Sequence, residues 1–127
     1  MSQSSFKKRV ETLRGLVKEG CDFEVTDKTE HFRVVRYGGE FEFSKIIVSS
    51  VSSTDTLYDI GANVGMVALH SGIRGELVVA FEPDPHHIKK LKHNIGLNNL
   101  NNVVVESVAI SDEEGCADLF TDEVGGK

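Results

Sequence analysis

Asp59-Ile60-Gly61-Ala62-Asn63-Val64-Gly65, running straight into Met66-Val67-Ala68-Leu69, is the stretch that decides how this chain folds. An apolar run beginning at Thr56 ends on an acid, two glycines bracket an asparagine, and an apolar helical run follows at once. That succession predicts a strand, a tight turn and a helix. Downstream, Leu77-Val78-Val79-Ala80-Phe81 ends on a second acid, Glu82. A second helix is well marked: Asp84 suits the N-cap, Pro85 the first helical position, Ile88, Leu91 and Ile95 share a face, and Gly96 lies near the end. Beyond the asparagine-rich loop of residues 98–102, residues 103–105 form a third apolar run. From Thr54 onward the order is therefore β-α-β-α-β, the pattern of a parallel α/β sheet.

The turn carries chemistry as well. A ligand at the carboxyl end of the first strand must approach main chain, and Gly61 and Gly65 leave room for it. Asn63 replaces the middle glycine of the commoner pattern and tolerates positive φ. A dinucleotide fingerprint would need further glycines where Asn63 and Met66 stand, which weakens a pyrophosphate reading. S-adenosylmethionine has no phosphate; it carries a sulfonium, and Asp59 suits its ammonium group or a water bound to it. Glu82 follows Gly61 by 21 positions, where a strand-end carboxylate accepts hydrogen bonds from both hydroxyls of a ribose. That requirement is common to adenosine cofactors, so these residues by themselves predict an adenosine-containing ligand.

Four segments in order, the glycine turn just quoted, Ala80-Phe81-Glu82-Pro83-Asp84-Pro85, Leu91-Lys92-His93-Asn94-Ile95-Gly96-Leu97-Asn98 and Val108-Ala109-Ile110-Ser111-Asp112, resemble successive signatures of the FkbM family of class I S-adenosylmethionine-dependent methyltransferases. The resemblance covers residues 59–112 and is loose over residues 22–53. It implies a Rossmann-like sheet, S-adenosyl-L-methionine as cofactor, and O-methyl transfer to a small-molecule or sugar hydroxyl in the complete protein. Asp59, Gly61, Ala62, Asn63 and Gly65 would surround the methionine moiety and Glu82 would hold the ribose. Pro83 and Asp84 would border the adenine, with Ser107 and Val108 approaching it from the third strand. Ser107 stands where the family often has Asn. Asn94 and Asn98 are expected to serve structure at the helix end. The resemblance names no catalytic base, and spacing alone assigns none.

Outward from this centre the readings are simpler. Phe6, Val10, Leu13 and Val17 recur at helical spacing behind Ser4 and Ser5 as candidate caps, with Gly20 as a stop, which predicts an opening amphipathic helix. Residues 23–25 and 32–35 are expected as short strands around a polar turn at residues 26–30, and a helix is expected from about Ser44. The chain thus divides into an N-terminal helix and short strands, residues 1–53, and a partial cofactor-binding domain, residues 54–127. After a turn at residues 111–115, residues 116–121 are expected as one more strand.

A net charge of −6, with acids and bases interspersed, predicts neither a nucleic-acid nor a membrane partner. Lys89, Lys90 and Lys92 read as a solvated helix face. Cys21 and Cys116, far apart and without metal spacing, read as reduced core residues, and His86, His87 and His93 as surface residues. No metal is expected. His70 reads as packing. With no leader-like apolar stretch, a soluble cytoplasmic protein is expected.

The family continues to a fourth strand with a Lys-x-Asp-x-Glu-Gly-x-Glu segment that residues 1–127 do not contain, so the sheet is expected to be truncated after the third parallel strand and the strand following it. Besides a methyltransferase portion, a non-catalytic or truncated cofactor-binding module and a nicotinamide- or flavin-dependent oxidoreductase fragment stay open. Without its neighbour the first strand exposes an apolar edge. The chain is therefore expected to self-associate or to take a second chain that completes the sheet. Sedimentation should reveal concentration-dependent association, and a monodisperse monomer that melts cooperatively would contradict it.

Overall fold

The computed structural model describes residues 6–121. In chain order they form β1 (Arg9–Leu13), β2 (Cys21–Val25), α1 (Lys28–Val35), a 3-10 turn (Tyr37–Gly39), α2 (Phe41–Ser50), β3 (Thr56–Ile60), α3 (Met66–Arg74), β4 (Leu77–Phe81), α4 (Pro85–Leu97) and β5 (Val103–Glu106). Strands β3, β4 and β5 lie side by side in that order, all parallel. Leu57 pairs with Val78 and Val78 with Val103, so these side chains share a face. That face is covered: Val78, Ala80 and Val103 join Ala68 and Leu69 of α3 and Leu91 of α4 in one buried cluster. The opposite face, beginning with Tyr58 and Ile60, is open, at 66% and 62% exposure. Among the described residues β3 pairs with β4 alone and forms an edge.

The β-α-β-α-β order predicted from Thr54 onward is present, with Asp84 accepting from the His86 N–H as the N-cap of α4 and Pro85 at its start. The N-terminal part differs from expectation. Residues 9–13 are a strand, paired antiparallel with β2, and not a helix. A helix through residue 17 would hold Gly15 in its interior, whereas Val10 and Thr12 are β-branched and suit a strand. The candidate caps Ser4 and Ser5 lie outside the described residues.

Residues 32–35 belong to α1 and not to a second strand. The cause is local. Asp27 Oδ1 accepts from the Glu30 N–H at 2.8 Å, while Glu30 Oε1 reaches back to the Thr26 N–H at 2.8 Å and its hydroxyl at 2.6 Å. This reciprocal cap starts a helix where the composition suggested a turn. Helix α2 begins at Phe41, ahead of the expected start at Ser44. Residues 116–121 form no strand; Phe120 is 89% exposed and Cys116 lies at the surface, so neither has a neighbour that would bury a strand face or a thiol. Cys21 is buried as expected, and burial pushes its thiol up to about 12.

The hairpin β1–β2 shares the core with the parallel sheet: Cys21, Phe23 and Val25 lie in the same cluster as Leu69 and Leu91. Its attachment is specific. Asn94 Oδ1 accepts from the Glu24 N–H at 3.0 Å, and Asn98 bonds Asp22 through both amide atoms, accepting from its N–H at 2.7 Å and donating to its carbonyl at 2.8 Å. Asn94 Nδ2 also donates to the Val64 carbonyl at 2.9 Å. Both asparagines therefore serve structure, as expected: they satisfy the free edge of β2, and Asn98 is also the C-cap of α4, its Nδ2 donating to the Asn94 carbonyl at 2.8 Å. Lys90, expected in solvent, instead reaches Glu24 at 3.1 Å and Glu30 at 3.5 Å. Asn94→Leu would leave a strand N–H and a loop carbonyl unpaired in the interior. Chemical denaturation should show a loss of about 2–4 kcal/mol, with a smaller loss for the solvent-proximal Asn98→Ala.

Candidate functional site

The loop between β3 and α3 is built on left-handed backbone: Gly61, Asn63 and Gly65 have φ of 79°, 56° and 103°. Asn63 thus adopts the conformation its type tolerates. The N–H groups of Gly61 and Ala62 both bond the Phe81 carbonyl, at 2.9 and 3.1 Å, which pins the loop to the end of β4. The two glycines do different work. A Cβ on Gly61 would meet nothing within 4 Å and would project into open space, as a ligand-facing position requires. A Cβ on Gly65 would lie 2.5 Å from Leu69 and 2.8 Å from Leu91, so this glycine lets α3 and α4 close beneath the loop.

Glu82, at the end of β4, is buried although charged. Its Oε1 accepts from the Asn63 N–H at 2.7 Å and its Oε2 from the Asp84 N–H at 3.0 Å. A carboxylate oxygen accepts about two hydrogen bonds, so each keeps a lone pair for a ligand donor. Asp59 ends β3 nearby, and its Oδ2 is buried with no hydrogen-bond partner among the described residues. Burial lifts its carboxyl to about 6; a backbone bond from Ala68 opposes the rise, and the Glu82 charge adds to it.

Asp59, Gly61, Ala62 and Asn63 line a cavity of about 210 Å³ whose other wall comes from α1, the 3-10 turn and α2, with Arg33, Tyr37, Glu40 and Ser44 facing in. Sequence reasoning placed none of these four in the site. Arg33 Nη1 donates to Asn63 Oδ1 at 3.4 Å and approaches His87 Nε2 at 3.2 Å. A guanidinium only donates, so Nε2 accepts and the ring proton sits on Nδ1, which faces Glu82 at 3.6 Å and Asp84 at 3.5 Å. His87 therefore belongs to the site and not to the open surface. His93 lies outside it, 3.3 Å from Glu24. His70 is packing, fully buried and stacked on Phe23.

Of the remaining residues singled out from sequence, Pro83 and Asp84 follow Glu82 directly and are partly buried. Ser107 and Val108 follow β5 and are exposed, away from the lining of the cavity. Gly65 is beneath the loop and outside that lining.

No family model and no curated protein matches the chain. Solved structures do. Trm5b from Pyrococcus abyssi superposes with a TM-score of 0.61 at 22% identity, over 80% of this chain and 28% of its own. M. jannaschii TYW2, solved in complex with AdoMet, gives 0.61 at 23% identity over 77% and 42%. The M. jannaschii tRNA m1G37 methyltransferase gives 0.57 at 22% over 84% and 31%. The fold is that of class I methyltransferases. This chain spans 28–42% of the length of these three neighbours, and matches covering 77–84% of it extend into the elements that precede β3.

The raised Asp59 pKa fixes a sign. The unfolded chain ionises this group near 3.8 and the folded one near 6, so its contribution to stability is complete below 3.8 and is lost as pH rises through about 6. Asp59→Asn should remove this fall, leaving the variant more stable than wild type at pH 8 by up to about 3 kcal/mol in denaturant titrations. Parallel pH profiles of the two proteins would count against a buried, strained Asp59.

Proposed function

We infer that this chain forms the S-adenosylmethionine site of a methyltransferase. The observation that carries the reading is Glu82, held by the N–H groups of Asn63 and Asp84 with one acceptor position free on each oxygen, beside the unpartnered Asp59 and the open cradle at Gly61. Two free acceptors on one carboxylate match the two hydroxyls of a ribose. Asp59 gives a cationic group a partner, and Gly61 lets a ligand lie against main chain. One of the named neighbours supports the same ligand class by its complex with AdoMet.

Bound S-adenosylmethionine supplies an electrophilic methyl group. The protein's part is binding and orientation: Glu82 fixes the ribose, the left-handed loop fixes the depth of the ligand, and the α1–α2 wall narrows access for water. For the acceptor we propose a small-molecule or sugar hydroxyl, which the likeness to FkbM proteins supports together with the net charge of −6. A tRNA acceptor is the second reading, favoured by matches to a tRNA methyltransferase that reach into the N-terminal hairpin and helices. Nicotinamide dinucleotide is disfavoured by Asn63 and Met66 in place of glycines and by acids where a pyrophosphate would lie.

Calorimetric titration with S-adenosylhomocysteine should give saturable binding, and Glu82→Ala should weaken it by about 1–3 kcal/mol. Tighter binding of a nicotinamide dinucleotide, or no binding of S-adenosylhomocysteine by the folded chain, would overturn the reading.

A further inference from the structure

Glu82, Asn63, Arg33 and His87 stand in a circuit of polar contacts that joins the end of β4, the glycine loop, α1 and α4. Glu82 Oε1 accepts from the Asn63 N–H at 2.7 Å, Asn63 Oδ1 accepts from Arg33 Nη1 at 3.4 Å, and His87 Nε2 accepts from the same nitrogen at 3.2 Å. The last side of the circuit stays open: His87 Nδ1 lies 3.6 Å from Glu82 Oε2 and 3.5 Å from Asp84 Oδ2, beyond hydrogen-bond range of either. Oε2 takes one bond, from the Asp84 N–H, so its second acceptor position is the one an approaching Nδ1–H would fill. The imidazole is 16% exposed, and its nitrogens are answered by protein groups more than by water.

An N–H beside two carboxylates is drawn toward them, and a shift of about 0.5 Å would bring it into bonding range. What opposes the shift lies at the other nitrogen of the imidazole, where Arg33, carried in on α1, bonds Nε2 and is itself tied to Asn63. On the reading that Glu82 takes the ribose, we propose that Arg33 and His87 are a positioning pair: Arg33 holds the imidazole back and thereby keeps a carboxylate position open for the ribose. His87, once released, occupies that position and competes with the ligand. Protonation of the imidazole releases it. Nε2 then carries a proton, cannot accept from Arg33 and faces it as a second cation, while the charged Nδ1–H bonds the carboxylates more strongly. Both changes act in one direction, so ribose binding weakens as pH falls. The charged groups facing the imidazole are Arg33 from α1 and Glu82 and Asp84 from the link between β4 and α4; the glycine loop contributes the uncharged Asn63. On α4 itself His86 lies with its ring 6.0 Å away, and Lys90, three residues on, is engaged by Glu24 of β2 and Glu30 of α1.

The test is a double-mutant cycle read by calorimetric titration of the full chain with S-adenosylhomocysteine at about pH 8. Arg33→Ala should weaken binding at least about 5-fold. Adding His87→Ala to that variant should recover most of the loss and bring the affinity within about 2-fold of that of His87→Ala alone. A direct contact between Arg33 and the ligand would instead cost the same in both backgrounds, and a circuit that serves only as structure would leave the double variant no tighter than Arg33→Ala. Either result overturns the proposal, as does an Arg33→Ala variant that binds like wild type. Between about pH 8 and about pH 5.5 the affinity of wild type should fall at least about 3-fold further than that of His87→Ala, Asp59 being common to both. Parallel profiles would count equally against the proposal, and because this comparison needs no Arg33 variant it decides the matter even where Arg33→Ala melts early. Failure of wild type to bind S-adenosylhomocysteine removes both this proposal and the reading on which it rests, whereas binding that Glu82→Ala weakens and Arg33→Ala does not removes the proposal alone.

Discussion

Two amide side chains one helical turn apart hold the N-terminal hairpin to the rest of the molecule. Four residues of α4 rise about 6 Å, and two residues of a strand advance about 6.7 Å. Asn94 and Asn98 can therefore meet Glu24 and Asp22 in turn along β2. The helix thus does for the free edge of β2 what another strand would do. Because Asn94 also bonds the Val64 carbonyl, the same contact fixes the glycine loop. Everything the hairpin carries forward, including α1 with Arg33, takes its position over the loop from this junction.

The electrostatics of the site follow from that placement. Asp59 and Glu82 are two acids in a partly closed space, and burial first, then the neighbouring Glu82 charge, disfavours ionisation of Asp59. Glu82 accepts from two main-chain N–H groups, whereas Asp59 keeps a buried oxygen without a partner among the described residues. The Arg33 guanidinium faces the same cavity and moderates this negative potential from the opposite wall. A ligand bringing positive charge toward Asp59 meets a site whose remaining groups are already arranged, so little reorganisation accompanies binding.

Legibility in the sequence followed the range of the interactions involved. From Thr54 onward each element announces itself within a few residues: an apolar run with its terminal acid, glycines at left-handed positions, the Asp84-Pro85 start of α4. The parallel sheet and the positions of Asp59 and Glu82 could be read from these. The N-terminal part departs from its pattern because Phe6, Val10, Leu13 and Val17 recur at helical spacing, whereas in the strand Val10 and Leu13 point to opposite faces and pairing with β2 decides the conformation. The start of α1 was legible in principle, since Asp27 and Glu30 stand at capping-box spacing, but the polar run around them resembled a turn. Arg33 and His87 carry no local signal; they meet through contacts across 30 and 54 positions of chain, which no short pattern encodes.

Those separations also order events in time. The bonds of Asn94 and Asn98 to the hairpin close loops of 70 and 76 positions, whereas β1 and β2 pair across a short turn. During synthesis the hairpin is exposed long before its anchor on α4 exists, and closing so long a loop is entropically slow compared with forming the hairpin or the helix. The hairpin must therefore wait, with Phe23 and Val25 uncovered, until the second parallel strand and its following helix have formed. The half of the molecule made first is completed last, and that interval is when the nascent chain is most open to chaperones and to aggregation.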